Sequence, residues 1–306
     1  MDEVKKVIVG KDIFVEKVMA AILARGNVLL EDVPGVGKTE MAIAFSRSLG
    51  FQSNRIQFTP DVMPSDITGF SMYRKETGEF VYYPGAVMCN LLLADEINRT
   101  SPKTQSALLE VMEEGSVTVD GVTRQVPKPF IVLATQNPVG SYGTQRLPEA
   151  QMDRFLICIS MGYPSLEDEV ALLKSRHTGR PLDQVSAVAN GEELQEMQKE
   201  TEEIFIHDSI YRYMAVLSDA TRRSEFLELG LSPRGTLAIG KMSRAYAFLR
   251  DKEYVVPADV KKSLLDTGVH RIRLNQKARL NGRTAVDILE EILRQIPEPR
   301  PGEKYM

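Results

Sequence analysis

The chain has 306 residues, 43% hydrophobic and 26% charged, values that exclude a disordered chain. Lys and Arg number 38 against 42 Asp and Glu, a net charge of −4, which excludes a histone-like or polybasic binder. A length of this order suggests about two domains, each able to bury a core.

Cys89 and Cys158 both sit in apolar runs and read as reduced core thiols rather than a disulfide. No run approaches the ~20 apolar residues needed to cross a bilayer. Lys5, Lys6 and Lys11 leave no apolar core for a leader peptide. The expected location is the cytoplasm.

In chain order, the first half alternates short apolar runs with helical segments. The runs are residues 27–31, 55–58, 91–95, 130–135 and 155–160. All are continuous rather than alternating, the pattern of parallel strands covered on both faces. One intervening helix is well marked: Ser101 caps it, Pro102 suits its first position, and Ala107, Leu108, Val111 and Met112 form its apolar face. Residues 70–83, aromatic-rich around Thr77-Gly78, and residues 116–126, around Asp120-Gly121, predict inserted β-hairpins. They are either ordinary edge hairpins or projections toward a substrate or pore.

Past residue 163 no convincing strand is predicted. Ile210, Tyr213, Met214 and Leu217 keep helical spacing, as do Leu289, Ile292, Leu293 and Ile296 behind a Thr284/Asp287 capping box. Ser232-Pro233 and Val256-Pro257 mark further helix starts. Residues 179–191, with Pro181, Asn190 and two glycines, read as a linker. An α/β domain over 1–178 followed by a small all-helical domain over 179–306 is expected.

The chemistry concentrates after the first strand. Asp32-Val33-Pro34-Gly35-Val36-Gly37-Lys38-Thr39 lies between that strand and an Ala-rich helix, the context of a P-loop. Gly35 and Gly37 let backbone N–H groups turn toward phosphate oxygens, Lys38 neutralises the β- and γ-phosphates, and Thr39 ligates magnesium. Asp32 departs from the strict pattern, which has Gly there. The strand at 91–95 ends in Asp95 and Glu96. Asp95 then lies near Mg²⁺, and Glu96 polarises an attacking water. After the strand ending at Thr135, Asn137 is either a water-orienting amide or a turn-forming Asn-Pro. Arg154 and Arg234 gain interest only from their place in this pattern.

Taken together, these motifs resemble the MoxR family of AAA+ ATPases over nearly the whole chain. Leu30 to Thr39 resembles its Walker A, Ala94-Asp95-Glu96-Ile97-Asn98-Arg99 its Walker B, and Ala134-Thr135-Gln136-Asn137-Pro138 its sensor 1. Leu147 to Phe155 resembles the arginine-finger segment and Gly230-Leu231-Ser232-Pro233-Arg234 its sensor 2. The resemblance implies a five-stranded αβα core, a helical lid and a ring, usually a hexamer. It implies ATP and Mg²⁺ held by Pro34, Gly35, Val36, Gly37, Lys38, Thr39 and Glu40, with Val9 and Gly10 at the adenine. Glu96, Asn137, Arg154 and Arg234 would be catalytic, with Arg154 reaching a neighbour's γ-phosphate. It further implies chaperone-like action on client proteins, often with von Willebrand factor A domain partners.

Other P-loop classes fit less well. No Asn-Lys-x-Asp guanine reader and no Leu-Ser-Gly-Gly-Gln transporter signature is present. A nucleic-acid motor or switch has one support, the run 270–283 with Arg271, Arg273, Lys277, Arg279 and Arg283 and no acid. That run has no aromatic to stack bases, so a solvated face or subunit contact is the preferred interpretation. His177, His207 and His270 share no metal-ligand spacing with one another or with the cysteines.

Overall fold

A computed structural model describes residues 1–32, 37–136, 147–177 and 179–299, without the side chains of 175–177. The strands of the first part are β1 (Val28–Glu31), β2 (Ser53–Gln57), β3 (Gly69–Arg74), β4 (Glu79–Pro84), β5 (Leu91–Asp95), β6 (Ser116–Val119), β7 (Val122–Gln125), β8 (Ile131–Gln136) and β9 (Ile157–Ile159). Five of them form one sheet in the order β2-β5-β8-β1-β9. The pairs β1/β8, β5/β8 and β2/β5 are parallel, with Val28 opposite Leu133 and Leu91 opposite Ile131. The central strands β5 and β8 are buried along their whole length, as continuous apolar runs require. β2 differs: exposed Ser53, Arg55 and Gln57 alternate with half-buried residues. It is an edge strand, and an edge strand keeps one side in water.

The two inserted hairpins form as the sequence predicts. β3 pairs antiparallel with β4, and β6 with β7. Asp120 (φ 52°) and Gly121 (φ 75°) both take the left-handed conformation that a tight two-residue hairpin turn needs. The Arg124 guanidinium lies 4.1 Å from the centre of the Tyr82 ring, so one hairpin packs on the other.

The helix Pro102–Glu114 starts where expected, with the Thr104 N–H donating to Ser101 Oγ at 3.2 Å, and stops at Gly115 (φ 64°). Its buried face is Thr104, Gln105, Leu108, Leu109 and Val111, while Ala107 and Met112 are only half buried.

The described chain gathers into two compact units that interleave in sequence. The first holds residues 1–19, 27–147 and 159–195; the second holds 20–26, 148–158 and 196–306. The predicted linker belongs to the first unit. Val188 N donates to Ser48 O at 2.9 Å, and Asn190 caps the helix Gly191–Glu203.

The second unit packs the helices Asp208–Arg223, Pro233–Phe248, Pro257–Gly268 and Ala285–Gln295 around Tyr213, Leu217, Ile239, Leu264 and Leu289. The Thr284/Asp287 capping box forms. The expectation of no strand past residue 163 fails for one short ribbon, Leu227–Leu229 antiparallel to Arg273–Leu274. Its partners are far apart in sequence and its register is irregular, so no turn signal marks it.

Both cysteines are free; burial pushes the Cys89 thiol up to about 11. Among the described residues no helix is long and apolar enough to cross a membrane. None of the described His, Cys, Asp and Glu residues cluster in threes as a metal site would require.

Candidate functional site

The C-terminal ends of the central strands carry the site, as open parallel sheets dictate. Gly37 (φ 96°) opens the helix Lys38–Ser48 in a conformation that glycine adopts without strain. Lys38 follows, buried, and its Nζ donates to the carbonyl oxygen of Asp32 at 2.7 Å. Burial lowers the Lys38 pKa, and the charges of Asp32, Asp95 and Glu96 raise it. The lysine therefore sits within electrostatic reach of both acids at the end of β5. Thr39 is half buried beside it.

The residue that breaks the P-loop pattern has a task of its own. Asp32 is buried, and its carboxylate accepts three hydrogen bonds: Ser160 Oγ at 2.6 Å, Met161 N at 2.6 Å and Gly162 N at 3.0 Å. A glycine could not fasten the segment that leaves β9 to the start of the loop.

Asp95 and Glu96 are set by neighbouring strands. Asp95 is buried and accepts from Arg55 Nε, on β2, at 2.7 Å. Thr135, on β8, donates its hydroxyl to Asp95 Oδ1 at 3.3 Å and accepts the Glu96 N–H at 2.8 Å. Glu96 takes a left-handed conformation (φ 57°), uncommon for a non-glycine residue, and its carboxylate pairs with Arg99 at 2.7 Å. Sequence reasoning missed Thr135, Arg55 and Arg99. Only Thr135 carries a signal that could have found it, as the polar residue closing an apolar strand beside the acids.

A cavity of about 180 Å³ lies next to Gly37 and Glu40, walled by Val7, Ile8, Val9, Met161 and Leu172. Val9 lines it; Gly10 follows in the chain with φ 73°, and a Cβ there would meet the Asp168 carboxyl at 2.1 Å. Met161 and Gly162, both held by Asp32, line it as well. Pro34, Gly35, Val36 and Asn137 lie outside the described residues, so the expectations placed on them stay untested.

The two candidate arginines belong to the second unit. Both are exposed. Arg154 follows the short helix Glu149–Met152, and Arg234 lies in the first turn of the helix Pro233–Phe248, whose N-terminus Ser232 caps by accepting the Gly235 N–H at 3.0 Å.

Residues 27–157 match the ATPase family associated with various cellular activities (AAA), and residues 219–292 match the AAA lid domain. The uncharacterized protein YeaC of Bacillus subtilis is 48% identical over 98% of this chain and 93% of its own length. Chaperone MoxR1 of Mycobacterium tuberculosis is 40% identical over 97% of this chain and 81% of its own. Protein MoxR of Methylorubrum extorquens is 29% identical over 97% of this chain and 93% of its own. A crystal structure of a protein from Cytophaga hutchinsonii, provisionally named an ATPase, matches with a TM-score of 0.90 and 36% identity, covering 98% of this chain and 93% of that one.

Proposed function

Because this chain belongs to the MoxR family of AAA+ ATPases, we propose that it binds ATP with magnesium, hydrolyses it to ADP and phosphate, and uses the cycle to remodel or activate partner proteins. The observation that carries this most directly is the charge constellation at the sheet edge. A buried Lys38 at a helix N-terminus feels Asp95 and Glu96, which Thr135 holds side by side. That is the division phosphoryl transfer needs, neutralisation on one side and a water-positioning carboxylate on the other.

In this reading residues 1–178 form the nucleotide-binding domain and 179–306 the lid. The Thr39 hydroxyl and the Asp95 carboxylate are hard oxygen donors of the kind magnesium takes, so the donor set fits that ion. Bound there, magnesium would supply charge neutralisation at the phosphates. Lys38 would exchange the Asp32 carbonyl for phosphate oxygens. Gly35 and Gly37 would present backbone N–H groups, with Pro34, Val36 and Glu40 beside them. Val9 and Gly10 would flank the base in the apolar cavity. Glu96 would accept the proton of the attacking water, Asn137 would orient that water, and Arg154 and Arg234 would meet the charge that develops on the γ-phosphoryl group. Arg154 would act on a neighbour's nucleotide in a homo-oligomeric ring, in keeping with hexamers as the usual family form.

Clients would be proteins, with von Willebrand factor A domain proteins as the first candidates, in the cytoplasm. The hairpin β3–β4 is the surface we assign to them. It exposes Phe70, Met72, Tyr73 and Phe80, costly in water unless used.

The nucleic-acid alternative loses its support at residues 270–283. Arg271 is buried against Asp153, Arg273 pairs with Glu149 and Glu228, Lys277 with Glu225, and Arg283 with Glu291. Four of the five cations thus face carboxylates of their own unit, which leaves little charge for phosphate contacts.

The test separates binding from turnover. Glu96→Gln should bind Mg–ATP as the wild type does yet lose turnover by a factor of ~10² or more, because an amide cannot take the proton. Lys38→Ala should lose nucleotide affinity itself. Equal collapse of radiolabelled ATP binding in both variants would contradict the assigned roles.

A further inference from the structure

Within the second unit, the strongest unexplained feature is a buried arginine that the sequence disguises as part of a basic run. The Arg271 side chain is 3% exposed. Its Nε donates to Asp153 Oδ1 at 2.7 Å, its Nη2 to the carbonyls of Asp153 at 3.1 Å and Phe155 at 2.6 Å, and its Nη1 to those of Leu156 at 2.9 Å and Thr267 at 2.6 Å. Residues 153, 155 and 156 are therefore all fixed by one guanidinium, and exposed Arg154 lies between them. Burial lowers the Arg271 pKa, Asp153 raises it, and the nearby positive charge of Arg234 lowers it further.

Asp153 also reaches the other arginine. Its second carboxylate oxygen accepts the Ser232 hydroxyl at 3.1 Å, and Ser232 is the N-cap of the helix that bears Arg234. The first turn of that helix lies against Arg271: a Cβ on Gly235 would sit 3.1 Å from Arg271 Cδ. The turn carrying Arg154 and the helix start carrying Arg234 are thus joined through Asp153 and backed by one buried guanidinium.

We propose that Asp153, Arg271 and Ser232 are positioning residues that lock Arg154 and Arg234 into one rigid piece, so that a shift of one arginine carries the other with it. This rests on the assignment of those two arginines to the triphosphate. A charged fork is suited to the purpose, since its five N–H groups define both distance and angle, whereas apolar packing would fix neither. Positioning matters because a misplacement of about 1 Å costs up to ~10²-fold in rate.

Ser232→Gly is the gentlest cut. Glycine at an N-cap costs only a few tenths of a kcal/mol, while the bond to Asp153 is lost. Arg271→Lys and Asp153→Asn are the stronger cuts. In Ser232→Gly we expect hydrogen exchange of the backbone amides of 149–158 and 234–236 to rise together, about tenfold. We also expect kcat to fall about tenfold with KM for ATP within twofold, and the melting temperature to move by no more than a few degrees.

In an Arg154→Ala background, Ser232→Gly should lower kcat by less than in the wild type, because only Arg234 is then left to misplace. Exchange that stays at the wild-type rate in Ser232→Gly and in whichever stronger variant folds would overturn the clamp. So would a kcat loss that repeats at full size without Arg154. A wild-type kcat in Arg154→Ala alone would overturn the catalytic assignment instead, while the exchange measurement would still decide the clamp.

Discussion

Replacing Asp32 with the glycine that the strict P-loop pattern prefers should harm this protein. The Asp32 carboxylate accepts from Ser160 Oγ, Met161 N and Gly162 N at 2.6, 2.6 and 3.0 Å, out of solvent. Hydrogen bonds to a charged group are worth about 1.5–3 kcal/mol each. Three in one network do not add, and water can re-enter a glycine-sized gap, so the expected loss is about 3 kcal/mol. For a unit of 150–250 residues that lowers the melting temperature by about 6–12 °C. Nucleotide affinity should fall as well, at least tenfold, because Met161 and Gly162 wall the cavity beside Gly37.

Thermal unfolding and an ATP titration on Asp32→Gly and Asp32→Asn read both effects. Asparagine keeps one acceptor oxygen and should recover about half of each loss. If Asp32→Gly melts with the wild type and binds ATP as tightly, Asp32 is a passive occupant of a glycine position and the reasoning fails.

Two further outcomes are expected from other parts of the chain. His270 is held neutral, its pKa pushed down to about 3 by burial and by Arg271, against an ordinary 6.5. The folded form then resists protonation, so this group's contribution is full above pH 6.5 and is lost as pH falls toward 3, by at most ~1.4 kcal/mol per pH unit; His270→Gln should flatten that part of a denaturation–pH profile, and an identical slope in both proteins would exclude it. Met72→Ser with Tyr73→Ser should shift the melting temperature by only a few degrees and keep basal ATPase, since both side chains are about half exposed and the double substitution chiefly removes the Tyr73–Phe80 ring pair; a loss of ten degrees or more would make the hairpin a structural element.

What could be read in advance was local. A continuous apolar run, a Gly-Lys-Thr turn between strand and helix, an acid pair at a strand end and the caps Ser101, Ser232 and Thr284 all signal within a few residues, and the described parts of each appear as expected. What could not be read was long-range. Asp32 looked like a defect because its partners lie about 130 residues downstream. Arg271 looked like one cation in a solvated run because nothing nearby in sequence shows the carbonyls of 153, 155 and 156 turned toward it. The apolar run 155–160 yields only a three-residue strand, since the carbonyls of Phe155 and Leu156 go to that guanidinium instead of a strand partner.

The charges of the first unit explain why the proposed mechanism asks for arginines from elsewhere. At the sheet edge Lys38, Arg55 and Arg99 stand against Asp32, Asp95 and Glu96, three cations to three carboxylates, each cation with a hydrogen bond of its own. The helix N-terminus and Lys38 would suit the phosphates of the ground state. They do not follow the charge that spreads over the γ-phosphoryl oxygens as the bond breaks, and that is the charge an added arginine meets most effectively. Arg55 and Arg99 are poorly suited to supply it, since moving either would strip a partner from Asp95 or Glu96. Arg154 and Arg234 are exposed residues of the second unit. Joined through Asp153, they would deliver two positive charges together, so that turnover would depend on the pair more tightly than on either arginine alone.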